Sequence, residues 1–568
     1  MQRLAADSAF DVVVVGGGIN GIGTFRDLAL QGLRVLLVER ADFCSGCSAA
    51  PSRMIHGGLR YLENGEFGLV RESLAERDML LANAAHMVRP LPTTIPISSV
   101  LSGTLNGVIG FLGLTQKPSQ RGALPIKFGL QLYDWITRKR RVLPKHVFRS
   151  GEKTRAVWPD LRKDIVYSAT YHDAWISYPE RLGIELISDA LAASPQSLAL
   201  NYASVEANPD GSYQLADLVT KETVCPDIRT RAVVIATGAW LDETLEGVAP
   251  DAAASGPLVS GTKGSHLVLD HPGLLRALGG HMIFFENSDA RVCIMFPYLG
   301  KVLVGSTDIR VRRAERVRCE EDERDYILAS VRKVFPEISF SVSDIVFSYS
   351  GIRPLPTSDH EFTGRITRGH EVRRVEGKTP TFCMIGGKWT TFRAFAEQTT
   401  DKVLAELGTK RQTNTRTLAI GGGRGFPADP VVFEAELAEE FGVSPERARH
   451  LANHYGTGAF TLMRALKANS ADGISAPMGG YSVGEICHLA ETEHVVRLSD
   501  LVLRRTSLAI TGEITGRILN EIAALMAERL GWDDARTAEE INGTIRELEV
   551  FHGVSANTLE TRSNTKGT

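Results

Sequence analysis

The chain has few cysteines, no excess of charge of either sign and no long apolar run. Seven cysteines in 568 residues, an odd number, do not make a disulfide framework and indicate a reducing compartment. Lys plus Arg total 64 and Asp plus Glu total 67, which argues against a dedicated nucleic-acid-binding protein. No segment reaches the roughly 18–20 uninterrupted apolar residues of a spanning helix. The start of the chain lacks the basic and apolar regions of a secretory signal.

The composition is that of a globular protein with several domains. Hydrophobic residues make up 43% and charged residues 23%, which excludes general disorder. At about 150 residues per domain, this length allows roughly two to four domains. The 54 glycines predict many tight turns and close backbone approaches.

The beginning of the chain predicts a strand, a glycine turn, a helix and a second strand. Residues 11–15 (DVVVV) and 34–39 (RVLLVE) are suited to buried parallel strands. Residues 21–31 between them have helical character and end near Gly32. This is a βαβ unit, the opening of many α/β domains.

The glycine turn fits the G-x-G-x-x-G pattern of dinucleotide-binding proteins. Gly16 permits the turn, Gly18 lets the backbone approach a pyrophosphate, and Gly21 allows close helix–strand packing. The helix N-terminus favours phosphate. Glu39 ends the second strand, where a carboxylate accepts hydrogen bonds from an adenosine ribose. We therefore predict binding of an ADP moiety, and the pattern alone does not separate NAD from FAD.

Two further segments favour a flavin. Residues 48–61 (SAAPSRMIHGGLRY) carry the pair Gly57 and Gly58, where a bulky side chain would keep the backbone from a flat ring. Gly238 follows residues 231–237 (RAVVIAT), a buried-strand candidate. Both segments are places where backbone can meet a cofactor.

Seven motifs occur in one order along the chain: GGGINGIG, IHGGLRYLENGEFGLVRESLAER, ATGAW, KGSH, GSTD, SGIRPL and GGKWTTFR. By these motifs the chain resembles the FAD-dependent glycerol-3-phosphate dehydrogenases, within the D-amino-acid-oxidase-like flavoproteins. The resemblance covers roughly residues 10–400 and continues more weakly over residues 490–506 (AETEHVVRLSDLVLRRT).

The resemblance implies non-covalent FAD and oxidation of sn-glycerol 3-phosphate to dihydroxyacetone phosphate. It also implies electron delivery to membrane quinone by a protein attached peripherally to the cytoplasmic face of the membrane; we expect no nucleic-acid partner and allow for a homodimer. Residues 97–114 look longer and more apolar than the matching part of typical glycerol-phosphate enzymes. A related polyol phosphate, such as erythritol phosphate, therefore stays open as the substrate. The sequence is also compatible with an oxidase that uses oxygen and with a flavin-bearing binding protein without turnover.

The expected architecture is a Rossmann-like α/β FAD-binding domain, an antiparallel-sheet substrate domain and a C-terminal all-helical domain. Residues 1–405 form the oxidoreductase region, with FAD-binding segments at about 10–95, 150–245 and 345–405 and substrate segments at about 96–149 and 246–344. A linker over residues 406–428, a helical domain over 429–550 and a disordered tail over 551–568 follow.

The substrate residues follow from the chemistry and from their place in the motifs. Arg60 and Arg353 are candidates for the phosphate, because a guanidinium presents a planar fork of donors. Lys388, at a strand-to-helix turn, is a candidate for neutralising the charge of reduced flavin near N1 and O2, alongside the dipole of the following helix. Tyr61 and Thr307 are weaker candidates for hydrogen bonds to substrate.

His266 is the preferred catalytic base, because an ordinary histidine pKa near 6.5 suits proton transfer at neutral pH. His56 is the alternative candidate for the base, but it is equally suited to orienting the backbone near FAD. We assign catalytic roles to His266, Arg353 and Lys388. The predicted cofactor contacts are Gly16, Gly18, Ile19, Asn20, Gly21, Glu39, Ser48, Ser52, His56, Gly57, Gly58, Leu59, Ala203, Gly238, Trp240, Arg353, Gly387, Lys388, Trp389 and Thr390.

Cys44 and Cys47 form a single C-x-x-C pair. The sequence has no second C-x-x-C pair to complete a metal site, so we expect no metal.

Three segments are candidates for membrane contact. Residues 138–155 hold eight Lys or Arg against one Glu, residues 127–139 have partly amphipathic spacing, and residues 97–114 are apolar.

Overall fold

A computed structural model describes residues 7–62, 65–99, 126–127, 129–131, 133, 142–250, 256–287, 291–357, 368–468 and 478–565. Most of residues 97–114 and 127–139, and the beginning of residues 138–155, lie outside this part of the chain. Within it, none of the helices combines the length and the apolar character needed to cross a membrane.

The first sheet is built around parallel strands, as the βαβ opening predicts. Its strand order is β17, β18, β10, β1, β2 and β7, and all neighbours are parallel except β17 and β18. Val12, Val13 and Val14 are fully buried, because both faces of the sheet are covered. The strands, with the hairpin β8–β9 that extends from β10, are β1 (Ala9–Val15), β2 (Val35–Val38), β7 (Leu198–Leu200), β8 (Ala203–Ala207), β9 (Tyr213–Asp217), β10 (Thr223–Ile235), β17 (His370–Val375) and β18 (Thr381–Gly386).

The second sheet is antiparallel except for the pair β12 and β4. Its order is β15, β11, β14, β13, β12, β4, β6 and β3, with β16 also paired to β11 and β5 to β6. The strands are β3 (Met54–Ile55), β4 (Val88–Ile97), β5 (Val147–Ser150), β6 (Tyr167–Ile176), β11 (Val259–Leu269), β12 (Met282–Glu286), β13 (Val292–Tyr298), β14 (Lys301–Gly305), β15 (Ile309–Val311) and β16 (Ile345–Pro356).

The antiparallel sheet expected over residues 256–360 is present, but it extends beyond the predicted substrate segments. Strands β3, β6 and β16 fall in segments assigned to FAD binding and pair in the second sheet instead. The reason is that the chain crosses between the sheets several times, and strand pairing over long separations leaves no local signature in the sequence.

Helices cover both sheets. One hydrophobic cluster joins α1, α4 and α8 to one face of the first sheet, and α5 with the β8–β9 hairpin covers the other face. The helices of this region are α1 (Ile19–Leu30), α2 (Phe67–Asn83), α3 (Gly151–Val157), α4 (Pro179–Ala193), α5 (Leu241–Val248), α6 (Pro272–Ala277), α7 (Glu321–Val334) and α8 (Phe392–Glu406).

The C-terminal region is helical, as its pattern predicts. Its helices are α9 (Pro430–Phe441), α10 (Pro445–Tyr455), α11 (Gly458–Ala468), α12 (Val483–Thr492), α13 (Leu498–Asp500), α14 (Gly516–Leu530), α15 (Asp534–His552) and α16 (Ala556–Thr565), with a π-helical turn at Leu501–Arg505 after α13. Side chains of Asp429, Ser444, Ser482, Thr515 and Asp533 cap the N-termini of five of them. These helices share a hydrophobic cluster with the second sheet.

The tail differs from the expectation of disorder over residues 551–568. Helix α16 occupies Ala556–Thr565, and Val554 and Leu559 are each only 1% exposed within the shared cluster. Arg562 also donates to the carbonyl of Val346 at 2.8 Å. The small polar composition of the tail misled the prediction, because a few apolar side chains suffice to dock it.

Candidate functional site

The glycine turn brings β1, β2 and β10 close to the start of α1. Gly16 has a φ of +111° and donates its N–H to the carbonyl of Val38 at 2.8 Å. A Cβ on Gly16 would lie 2.7 Å from the carbonyl oxygen of Ala236, and one on Gly21 would lie 1.9 Å from that of Gly16. Both positions therefore exclude any side chain.

Glu39 closes this turn from β2. Its carboxylate accepts from the N–H of Gly17 at 2.7 Å and from that of Ala41 at 2.9 Å. Its carbonyl accepts from the N–H of Ala203 at 2.9 Å, at the start of β8. Burial raises the pKa of Glu39, and the two backbone donors oppose that rise. The predicted contacts Glu39 and Ala203 thus share one edge of the turn.

Ser48 lies over the N-terminus of α1. Its hydroxyl accepts from the N–H of Ile19 at 2.9 Å, and its carbonyl accepts from the indole of Trp389 at 3.0 Å. A Cβ on Gly46 would lie 3.7 Å from the Trp240 ring. The loop that follows β2 therefore connects α1 with the turn before α8 and with the turn after β10.

The turn region offers buried polar atoms that suit a polar cofactor. Asn20 Oδ1, Thr237 Oγ1 and Thr391 Oγ1 are buried without a hydrogen-bond partner among the described residues. Such atoms are uncommon in folded proteins and call for a water or a ligand. Gly387, with a φ of +93°, sits so close to Asn20 that a Cβ would lie 2.7 Å from its Nδ2. These residues fit a dinucleotide laid across the sheet ends.

Gly57 and Gly58 occupy a backbone turn fixed from β6. Asp173, 1% exposed, accepts from the Gly57 N–H at 2.8 Å and pairs with Arg77 at 3.0 Å. Burial raises the pKa of Asp173, and Arg77 opposes the rise. A Cβ on Gly57 would lie 2.3 Å from the Tyr133 hydroxyl. The glycine pair therefore presents backbone alone, and its approach to a flat ring stays a prediction.

His56 and Lys388 are neighbours in a cationic surrounding. The N–H of His56 donates to Thr390 Oγ1 at 3.4 Å. Burial, together with the charges of Lys388, Arg368 and Arg77, lowers the pKa of His56 to about 3. The ring is therefore neutral at physiological pH.

Lys388 follows the Gly387 turn and is held by side chains of two other segments. Its Nζ donates to Ser73 Oγ at 2.7 Å and lies 4.4 Å from the centroid of the Tyr61 ring. Burial lowers the pKa of Lys388 to about 7, against the opposing charges of Glu72 and Glu66. The lysine is therefore poised to change charge near neutral pH.

Arg353 lies on β16 opposite Thr262 of β11. Its guanidinium donates to Ser306 Oγ at 2.9 Å, to the Thr307 carbonyl at 3.3 Å and to Asp308 Oδ1 at 3.1 Å. Arg368 lies 3.6 Å from the other carboxylate oxygen of Asp308. Two guanidinium groups thus converge on one carboxylate, and Arg368 is a residue that the sequence reasoning missed.

His266 lies on the same face of the β11–β16 pair as Arg353. It is 1% exposed and stacks on Tyr349 with ring centroids 4.9 Å apart. Neither of its ring nitrogens has a hydrogen-bond partner within the described part of the chain. Burial holds its pKa well below the ordinary value, and the charges of Arg353 and Arg53 lower it further.

This sheet face meets the loop after β2. Gly351 lies between Tyr349 and Arg353 on the same face of β16. A Cβ on Gly351 would lie 2.6 Å from Ala50 and 3.5 Å from the Cα of Cys47. The charges of Arg353 and Arg368 reach the Cys47 thiol, although burial dominates and raises its pKa. The structure therefore joins the loop after β2 to Arg353 of the second sheet and brings it near Arg368, which precedes β17.

The structure does not bring the Thr307 hydroxyl, a predicted substrate contact, to the sheet face of Arg353. The hydroxyl of Thr307, 2% exposed, donates to Glu323 at 2.7 Å and accepts from the Ser265 N–H at 3.0 Å, so it is engaged behind the sheet. The Arg60 side chain lies outside the described part of the chain. Within the part of the chain that the structure describes, Ser52 makes no hydrogen bond or ion pair to the cluster.

Cys44 is buried, and burial raises the pKa of its thiol. Both cysteines of the C-x-x-C pair are free thiols. Across the residues that the structure describes, no three His, Cys, Asp or Glu side chains come together in a group able to hold a metal ion.

Comparison with known proteins gives matches over nearly the whole chain. Residues 11–390 match the family "FAD dependent oxidoreductase", and residues 413–537 match the "C-terminal domain of alpha-glycerophosphate oxidase". A glycerol-3-phosphate dehydrogenase of Synechocystis is 33% identical over 562 residues, which cover 94% of this chain and 95% of the relative. A D-erythritol 1-phosphate dehydrogenase of Brucella abortus is 30% identical, over 89% of this chain and 95% of the relative.

A solved structure shares the fold. The glycerol-3-phosphate dehydrogenase from Bacillus halodurans, complexed with FAD, superposes with a TM-score of 0.73 at 24% identity and covers 97% of each chain. The Rossmann-like domain, the second sheet and the C-terminal helices expected from the sequence are therefore confirmed as one known architecture.

Proposed function

Because the chain belongs to the FAD dependent oxidoreductase family and is an enzyme that uses FAD, we propose that it oxidises sn-glycerol 3-phosphate to dihydroxyacetone phosphate. The observation that carries the proposal is the convergence of Arg353 and Arg368 on Asp308, on the sheet face that meets the loop after β2. Guanidinium groups match phosphate oxygens with parallel donors. The relatives named glycerol-3-phosphate dehydrogenase add support.

The cofactor would lie between the glycine turn and the Gly57–Gly58 backbone. Gly16, Gly18 and Gly21 would admit its pyrophosphate, and Glu39 its ribose. When bound, FAD supplies the acceptor for the hydride that leaves C2 of the substrate. The remaining steps belong to residues of the chain.

Arg353 would hold the phosphate, with Arg368 beside it. His266 would take the proton of the C2 hydroxyl, because it lies on the face of Arg353 and both of its ring nitrogens are unengaged in the described structure. His56 lies beside Lys388 rather than on the face of Arg353. Lys388 would place a positive charge near the electron-accepting end of the flavin.

The test is a substrate panel with the purified, FAD-loaded enzyme. Glycerol 3-phosphate, erythritol phosphates and the unphosphorylated polyols are added anaerobically, and bleaching of the flavin band near roughly 450 nm is followed. We expect bleaching by glycerol 3-phosphate and none by glycerol. Faster bleaching by D-erythritol 1-phosphate would assign the enzyme to the chemistry named for its Brucella relative. Absence of bleaching by every phosphate ester would refute the proposal.

The electron acceptor is proposed to be a membrane quinone. Reoxidation of the bleached enzyme by a soluble quinone analogue should be much faster than by air, and the opposite order would make it an oxidase.

We also propose peripheral attachment to the inner face of the cell membrane, supported by the basic residues 138–155. Cosedimentation with anionic but not neutral vesicles tests the attachment, and light scattering tests for a homodimer.

A further inference from the structure

The loop between β14 and β15, residues 306–308, holds Arg353 through its backbone and its side chains. Ser306 and Asp308 accept from the guanidinium with their side chains, and Thr307 accepts with its carbonyl oxygen. The direction of the Arg353 guanidinium therefore depends on where this loop lies. The loop follows directly after β14, which pairs with β11 through Gly305 and His266.

The loop is fixed from behind by one buried carboxylate, that of Glu323 in the first turn of α7. Glu323 is 3% exposed. Its Oε1 accepts from Thr307 Oγ1 at 2.7 Å and from Ser265 Oγ at 2.8 Å. Its Oε2 lies 2.5 Å from Lys263 Nζ and accepts from the Glu320 N–H at 3.1 Å.

These contacts lie on the opposite face of the sheet from the proposed substrate position. Lys263 and Ser265 alternate along β11 with Gly264 and His266, which face Arg353 and Tyr349. Ser265 also hydrogen-bonds Ser350 of β16 at 2.7 Å. The Glu323 carboxylate thus connects α7, β11 and the loop. Through Ser265 it is also linked to Ser350, three residues before Arg353 on β16.

We propose that Glu323 is a positioning residue that sets the direction of the Arg353 guanidinium by anchoring the Thr307 hydroxyl. This inference rests on the proposed function, in which Arg353 binds the substrate phosphate. Thr307 then acts as the link between the two residues and makes no contact with substrate. A buried carboxylate with four donors is rigid enough for this task, because each donor restricts it in a different direction.

The experiment uses three variants on the path, one of them a conservative rescue, and one control off it, each as FAD-loaded full-length enzyme. Thr307→Val removes the hydroxyl at nearly constant volume, and Thr307→Ser restores it. Glu323→Gln removes the charge at constant shape. Glu321→Gln is the matched control, since it makes the same change in the same helical turn with a side chain that is 88% exposed.

We expect Thr307→Val and Glu323→Gln each to raise the KM for the polyol phosphate about tenfold, because displacing a binding group by a fraction of an ångström is costly. The value of kcat, the FAD content and the flavin spectrum should change little. Thr307→Ser and Glu321→Gln should keep the KM of the unaltered enzyme. A purely structural role for Glu323 would lower thermal stability without this split between KM and kcat.

Combination with Arg353→Ala gives the decisive comparison. If Glu323 acts through Arg353, adding Thr307→Val to Arg353→Ala should raise KM no further. A full additional tenfold effect in that background would overturn the inference, as would an unchanged KM in Thr307→Val alone. Because Thr307→Val keeps the Glu323–Lys263 pair, it remains informative even where Glu323→Gln fails to fold.

Failure of the proposed function has a different result. If Arg353→Ala itself leaves the KM unchanged, the phosphate assignment falls. A crystal structure of Thr307→Val then decides the positioning claim by itself. A guanidinium moved away from Asp308 supports the anchor, and one still 3.1 Å from Oδ1, as in the unaltered chain, overturns it.

Discussion

The guanidinium of Arg505 binds both carboxylate oxygens of Asp42, at 2.8 Å each. Arg505 follows α13 in the C-terminal helices, whereas Asp42 lies three residues after Glu39, in the loop that leads to Ser48. Both side chains are fully buried, and Arg504 binds the same carboxylate. Burial alone would raise the pKa of Asp42, but the two arginines outweigh it and hold the pKa below its ordinary value. The C-terminal helices therefore clamp the loop beside the glycine turn.

Removing this clamp should destabilise the protein strongly. Arg505→Ala would leave the buried Asp42 with Arg504 as its cationic partner, beside the amide of Asn201. Breaking a buried ion pair typically costs about 3–5 kcal/mol. Urea unfolding of the FAD-loaded enzyme measures the loss. Arg464→Ala is the control, since Arg464 is 64% exposed in its pair with Glu440 and such a pair contributes about 0–1 kcal/mol. Equal effects of the two substitutions would contradict a stabilising clamp.

Gly18 should be required for the cofactor and dispensable for the fold. Its φ of −78° and ψ of 171° are open to any residue, and a Cβ would meet only Ser48 Oγ, at 3.2 Å, among the described residues within 4 Å. Gly18→Val should therefore fold but purify colourless, because its side chain would occupy the space of the pyrophosphate. Absorbance after purification and after reconstitution with FAD measures this. Gly543→Val, at a helical glycine with nothing within 4 Å, should stay yellow; a fully loaded Gly18→Val would contradict the cofactor position.

Arg353 should matter for the phosphate ester and not for the flavin. We expect Arg353→Ala to lower kcat/KM for the polyol phosphate by about 10- to 100-fold, since a hydrogen bond to a charged group is worth about 1.5–3 kcal/mol. FAD content should be unchanged, and Arg353→Lys should recover part of the loss. The control variant is Arg373→Ala, at an exposed arginine of β17. Steady-state kinetics of the two variants gives the comparison. Unchanged kinetics in Arg353→Ala would exclude its assigned role.

The predictable part of the fold is the part whose signals are local. The β-branched run before Gly16, the glycine spacing and the acid at Glu39 lie within one βαβ unit, and the structure places them together. Arg368 carries no motif of its own and joins Arg353 only because both reach Asp308. The direction of the Thr307 side chain depends on Glu323, in a helix inserted among strands. Such contacts between distant segments leave no periodicity to read.

The pH dependence of the reaction should report the charge of Lys388. With its pKa lowered to about 7 by burial, Lys388 in the free enzyme is a cation below that pH and loses its charge above it. If the cation assists an anionic substrate or reduced flavin, kcat/KM should fall as pH rises through about 7. Lys388→Arg keeps its charge at all these pH values and should move the fall to higher pH, even if its activity is lower. Profiles of kcat/KM from pH 5 to about 9 measure both enzymes. His56, with a pKa of about 3, adds no acid limb in this range. A fall at the same pH in both profiles would show that Lys388 is not the titrating group.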